Sequence, residues 1–277
     1  MRSILIGLAL ANALAVVRIV PADAQEQFPQ VDAIVNDAVQ SSLIPGAVLV
    51  IGHNGKVVYR KAYGSRALIP QREPMTLDTI FDAASLTKVV ATTPSIMKLF
   101  EQGKIRLDDP VTKYLPEFQG GKSDITIRLL MTHFSGLPPD LPLVPRWSGY
   151  QTGIEKAITI APIAPPGARF IYSDINFNLL AEIVRRLSGQ SVAEFAQHQI
   201  YIPLKMNESG FQPAISLRPR IAPTEINPDT GEPMRGMVDD PTSRYMGGIA
   251  GDAGLFTTAD DLAKYAAMML GMGEYDG

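Results

Sequence analysis

The strongest local constraint in this chain is an Asn-Gly pair at 54–55. It lies between two β-branched and aromatic runs, Gly46-Ala-Val-Leu-Val-Ile-Gly52 and Lys56-Val-Val-Tyr-Arg-Lys-Ala-Tyr63. A two-residue turn between antiparallel strands needs positive φ at both central positions, which Asn and Gly tolerate best, so the stretch predicts a β-hairpin. Ahead of it, Val31, Ile34, Val35 and Ala38 follow the three-four spacing of an amphipathic helix. A helix followed by a meander predicts a sheet with a helix on one face. Two strands alone are marginal in water, so the hairpin must belong to a larger sheet.

From Asp78 onward the pattern turns to helices and loops. Leu86, Val89, Val90, Thr93, Ile96, Met97 and Phe100 recur at helical spacing, with Gly103 as the expected left-handed stop. Pro94 removes one backbone donor inside this helix and predicts a kink. Further helices are expected over 125–132, over 176–187 ahead of Gly189, and over 259–270. The Pro-, Gly-, Asp- and Asn-rich stretch 203–248 reads as a long ordered excursion at the rim of a site.

With 277 residues, of which 46% are hydrophobic and 19% charged, the chain can bury the core of one large domain or two intimate ones. A net charge of -3 without a long basic run points away from nucleic acid as a partner. The absence of cysteine excludes disulfides, thiolate metal sites and a Cys nucleophile. His53, His133 and His198 are far apart and none sits in an H-E-x-x-H arrangement, so neither a metal nor any other cofactor is expected. Residues 1–24 pair a basic start with an apolar run and end in Ala22-Asp23-Ala24, the pattern of a secretory signal peptide. The run is broken by Arg18 and is short for a span of about 20 residues. Export to the periplasm or medium, with no membrane span after cleavage, is the expectation; oligomeric state is not legible.

Two short motifs carry chemistry. Ser85-Leu-Thr-Lys88 is an S-x-x-K at the start of the kinked helix, and residues three apart share one helix face. Lys88 can therefore reach the Ser85 hydroxyl. A serine needs a neighbouring base to become a nucleophile, and a lysine serves only if its pKa is lowered, a direction in which the helix N-terminus acts. The same pattern is also written by a solvated helix face with Ser near its N-cap. The second motif, Tyr172-Ser173-Asp174, stands 87 residues later before a helix. Without a positioned histidine, such a tyrosine could relay a proton to a leaving group. A core tyrosine followed by an N-capping aspartate is the alternative.

Ser85-Leu-Thr-Lys88 and Tyr172-Ser-Asp174 occur with Thr126-Ile-Arg-Leu-Leu-Met-Thr-His-Phe-Ser-Gly-Leu-Pro138 and Gly254-Leu-Phe-Thr-Thr-Ala-Asp-Asp-Leu-Ala-Lys-Tyr265. Together and in this order they resemble the β-lactamase-related serine hydrolases: class C β-lactamases, D-alanyl-D-alanine carboxypeptidases and family VIII esterases. The resemblance runs from about residue 30 to the end. It implies an α+β fold with an antiparallel sheet flanked by helices, an all-helical part, and the site between them. On that basis residues 25–277 form one hydrolase domain, with a sheet part at 25–75 and a mostly helical part at 76–277. It also implies that Ser85 is acylated, that Lys88 takes its proton, and that Tyr172 acts as base and then acid.

Two departures qualify the match. Asp174 stands where the family more usually has Asn, and an ionised carboxylate favours the charged form of Lys88. The family's third motif, K-T-G or H-x-G on a late strand, does not follow residue 265; His53-Asn54-Gly55 fits H-x-G only as a hairpin turn. The C-terminal strands are therefore expected to be missing, and residues 25–277 alone to be poorly soluble and inactive.

The function these features imply is hydrolysis of an ester, a β-lactam or a D-Ala peptide through an acyl-Ser85 intermediate, on a small-molecule or peptidoglycan-derived substrate bound near Asp174. A non-hydrolytic binder of peptidoglycan fragments is the alternative. A Ser-His-Asp esterase is disfavoured by the lack of a G-x-S-x-G elbow.

Overall fold

The structure is a computed structural model that describes residues 28–276, so the expected signal peptide lies outside the described residues. The hairpin forms as the Asn-Gly pair requires. Strands β1 (Gly46–His53) and β2 (Lys56–Ala67) pair antiparallel, and Asn54 and Gly55 take φ of 51° and 74°. A short β3 (Glu73–Pro74) adds to the far side of β2. Helix α1 (Pro29–Gln40) lies against β2, where the Asp32 carboxylate accepts from Lys61 (2.5 Å), Tyr59 (2.6 Å) and Tyr63 (2.7 Å). Those donors, Lys61 first, hold the Asp32 carboxyl at about 2.

The helical part buries the larger core. After π-helical turns at Lys88–Thr92 come α2 (Thr93–Glu101), α3 (Ile127–Met131), α4 (Tyr150–Thr159), α5 (Asp174–Ser188) and α6 (Val192–Ala196). Ile96, Leu99, Phe118, Ile127, Leu180 and Ile183 are fully enclosed between them. The distortion expected from Pro94 lies just before it: Thr93 N–H bonds to Lys88 O, a reach of five residues. Gly103, at φ 69°, closes α2, with Lys104 N–H donating to Leu99 O.

Two features go beyond the sequence reading. The mostly helical stretch 76–277 also carries β4 (Phe81–Asp82), β5 (Gly210–Phe211) and β6 (Leu255–Thr257), which make a second three-stranded sheet in the order β4-β6-β5. Strands of two or three residues are too short for alternation to show. The terminal helix α8 (Ala259–Leu270) packs against β1 and so belongs with the hairpin sheet. The excursion after residue 203 is ordered, carrying a 3₁₀ turn at Ile215–Arg220 and α7 (Pro241–Tyr245).

The segment joining α7 to β6 is threaded tightly past α5. Gly251 donates to Asn178 Oδ1 (3.0 Å) and its carbonyl accepts from Thr92 Oγ1 (2.6 Å). A Cβ on Gly251 would stand 1.9 Å from the Phe177 carbonyl oxygen. Gly251→Ala is accordingly expected to cost about 1–3 kcal/mol of stability in denaturant unfolding; an unchanged midpoint would contradict this close approach.

Candidate active site

Ser85 sits on a sharp corner between β4 and the π-helical turns. Ala84, one residue before it, has φ 44°, a left-handed conformation that costs a residue with a Cβ roughly 1–2 kcal/mol. Asp82 holds the corner: its Oδ1 accepts from Ala84 N (2.8 Å) and its Oδ2 from Asp239 N (2.8 Å). Burial, opposed by these two bonds and reinforced by the charges of Asp239 and Asp240, raises the Asp82 carboxyl above its ordinary range. The result is an exposed Ser85 beside a buried lysine.

Lys88 is 3% exposed, and its Nζ makes three short contacts: Ser85 Oγ at 3.0 Å, the Asp252 carbonyl at 3.0 Å and Asp174 Oδ1 at 2.6 Å. Burial alone lowers its pKa. The contact and charge of Asp174, the charge of Asp252 and the Tyr172 hydroxyl oxygen as acceptor outweigh burial and raise its pKa. Of the two opposed influences expected from the sequence, the Asp174 carboxylate prevails over the helix N-terminus. A formal carboxylate at 2.6 Å exceeds the partial charge of a helix end. Lys88 therefore rests as an ammonium.

Tyr172 is 43% exposed, with its ring centroid 5.0 Å from Lys88 Nζ. It is not a core tyrosine. Asp174 opens α5 as its first helical residue, following Ser173 at the N-cap, and does not cap the helix itself. Ser85, Lys88, Tyr172 and Asp174 thus converge on one ammonium group. Such a group can polarise the serine hydroxyl, hold a proton between Lys88 and Asp174, and exchange one with Tyr172.

Sequence reasoning missed Asp252, which is fully buried beneath Lys88. One of its oxygens accepts from Ser243 Oγ (3.1 Å) and the other has no hydrogen-bond partner. Burial, with the charges of Asp240 and Asp174 adding, pushes its carboxyl well up. Only a Gly-rich run, Gly251-Asp252-Ala253-Gly254, marks the position in sequence, and it has no periodicity to read.

Asp140, Asp174 and Asp240 each bring a carboxylate oxygen within 4.8 Å of the others. Each is already engaged: Asp140 with Thr242 Oγ1 (2.7 Å), Asp174 with Lys88, and Asp240 with Ser243 N (2.6 Å). His53 lies at the end of β1 beside the hairpin turn, in a different sheet from β4. A separate cleft of about 370 Å³ is lined by Gln212, Pro213, Met237, Val238, Arg244 and Phe256, and not by Ser85, Lys88 or Tyr172.

A small sheet, a helical part and S-x-x-K at the corner between them define a β-lactamase/transpeptidase-like fold. The profile of the family described as Beta-lactamase matches residues 31–276, and the chain belongs to that family. It is 32% identical over 285 residues to an Escherichia coli K12 protein named "Putative D-alanyl-D-alanine carboxypeptidase", covering 90% of this chain and 65% of that protein. It is 31% identical over 265 residues to a Bacillus subtilis protein named N-acetylmuramyl-L-alanine amidase, covering 83% of this chain and 60% of that one. The octameric penicillin-binding protein homologue from Pyrococcus abyssi superposes with a TM-score of 0.73 at 29% identity, over 89% of this chain and 57% of that one. The chain thus spans less than two thirds of the length of these relatives. Among the described residues, no helix is long and apolar enough to cross a membrane.

Proposed function

We propose that this protein is an exported serine hydrolase that transfers an acyl group from an ester, a β-lactam or a D-Ala peptide to water through acyl-Ser85. The observation that carries the reading is the 3.0 Å contact between Ser85 Oγ and the nearly buried Nζ of Lys88. In the reactive minority with neutral Lys88, Ser85 Oγ attacks the carbonyl carbon as its proton passes to Nζ. The bond to the leaving group then breaks, the leaving group takes the Tyr172 hydroxyl proton, and Lys88 returns a proton to Tyr172. Water repeats the sequence on the acyl-enzyme. The carboxypeptidase and amidase names of the relatives favour a peptidoglycan-derived substrate among the three.

The test is turnover of a chromogenic cephalosporin, a short-chain nitrophenyl ester and a D-Ala-D-Ala peptide by the full-length protein. Hydrolysis of at least one, lost on replacing Ser85, is expected. Binding of peptidoglycan fragments without turnover would favour the non-hydrolytic alternative.

The Lys88–Asp174 pair adds a pH signature. Asp174 is a principal cause of the raised Lys88 pKa, so Asp174→Asn leaves burial less opposed and lowers it. Neutral lysine then becomes available at lower pH. The rising limb of the pH–rate profile should move towards acid in Asp174→Asn; a limb that stays put would remove Lys88 as the titrating base.

A further inference from the structure

His133 has no part in the proton transfers described above, yet it occupies a left-handed conformation that is uncommon for any residue with a Cβ. It follows Thr132, the C-cap of α3, at φ 60°. Its N–H bonds to Leu130 O (3.3 Å) and the next N–H, of Phe134, bonds to Leu129 O (2.9 Å). This pair of bonds is a Schellman closure, whose left-handed residue is usually glycine because a Cβ is strained there. A side chain kept at such a position points to a use for it.

That use lies in the strand-like segment opposite. The His133 carbonyl accepts from Ile171 N (2.8 Å) and its Nδ1 accepts from Ser173 N (3.0 Å), so one residue grips the backbone on both sides of Tyr172. Its ring stacks on the Tyr172 ring, centroids 4.5 Å apart and planes at 27°. Phe177 and Phe170 pack on the same imidazole at 5.2 and 5.6 Å. Accepting a backbone N–H requires a lone pair on Nδ1, which leaves the ring proton on Nε2. Burial first, then the Lys88 charge, lowers the imidazole pKa and keeps that lone pair free, with Asp174 opposing.

We propose that His133 is a positioning residue that clamps Tyr172, fixing the phenol against Lys88 through one side-chain bond, one main-chain bond and a ring stack. The inference rests on the reading in which Tyr172 relays the proton. A tyrosine that is 43% exposed has room to swing, and misplacing a reacting group by about 1 Å can cost about 10²-fold in rate.

His133→Gly, which suits the backbone and deletes the clamp, should lower kcat about 10²-fold with KM within about threefold of the parent. His133→Asn tolerates the same φ and offers an oxygen where Nδ1 stood, so it should recover part of the loss. The deciding comparison is in a Tyr172→Phe background, measured in the full-length protein. There His133→Gly should change the remaining rate by no more than about twofold, because nothing is left to position. A loss equally large in both backgrounds would mean that His133 acts on the fold or as a base itself, and would overturn the proposal. So would an unchanged kcat in His133→Gly. If His133→Gly does not fold, His133→Asn carries the same two-background comparison. If Tyr172→Phe leaves the rate untouched, the tyrosine relay falls and the clamp with it. A costly Tyr172→Phe beside a silent His133 variant removes the clamp alone.

Discussion

Ser85→Ala in the full-length protein is expected to abolish turnover of every substrate the parent accepts, and a slow β-lactam or a phosphonate ester should add its mass to the peptide carrying Ser85. Ser85 is exposed, stands on a corner strained at Ala84, and is within 3.0 Å of Lys88 Nζ. A nucleophile acts as a unit with its base, so removing its oxygen leaves only binding and electrostatic help, and the whole of the covalent route is lost. Unfolding should change little, because Ser85 is exposed and water can replace its oxygen as the acceptor for Lys88 Nζ. Label on any other serine would overturn the assignment.

The next largest effect is expected at Lys88. Lys88→Ala should lower the acylation rate by about 10²–10⁴, the usual worth of general acid–base help. It should also destabilise the protein, because the buried ammonium stands 2.6 Å from Oδ1 of the partly exposed Asp174. Removing one partner of a fully buried ion pair typically costs about 3–5 kcal/mol, and the access of Asp174 to solvent places the cost here below that range. Asp252 adds less to that cost, since its raised carboxyl can keep its proton once Lys88 is gone. Lys88→Arg separates the two roles: guanidinium keeps the charge but cannot give up its proton, so folding should return in part and acylation should not. Acylation at the parent rate in Lys88→Arg would show that Lys88 serves only as a charge.

The hairpin and helices α1, α2, α3, α5 and α8 were legible because each follows from a short-range rule, whereas α4, α6 and α7 were not expected from the sequence. Asn54-Gly55 dictates its turn, the apolar spacing from Leu86 to Phe100 continues through Pro94, and Gly189 ends α5 at φ 75°. Ser85 and Lys88 could be paired from sequence for the same reason, since helical geometry sets the reach between residues three apart. Bringing Tyr172 and Asp174 to that pair needed a resemblance, because no local rule joins residues 87 positions apart.

What the sequence by itself determined, then, is the hairpin, the longer periodic helices other than α4, and the one nucleophile–lysine pair that a single stretch of chain contains. The tertiary structure decided the rest: the β4-β6-β5 sheet, the return of α8 to β1, the charged state of Lys88 and the grip of His133 on Tyr172. The physical reason is common to all four. Strand pairing, burial and Coulomb interaction depend on distance in space, and the partners concerned are separated along the chain, by 40 residues for His133 and Ser173 and by 164 for Lys88 and Asp252. Over such separations only the packed core brings the groups together, and so sets which charge wins at Lys88.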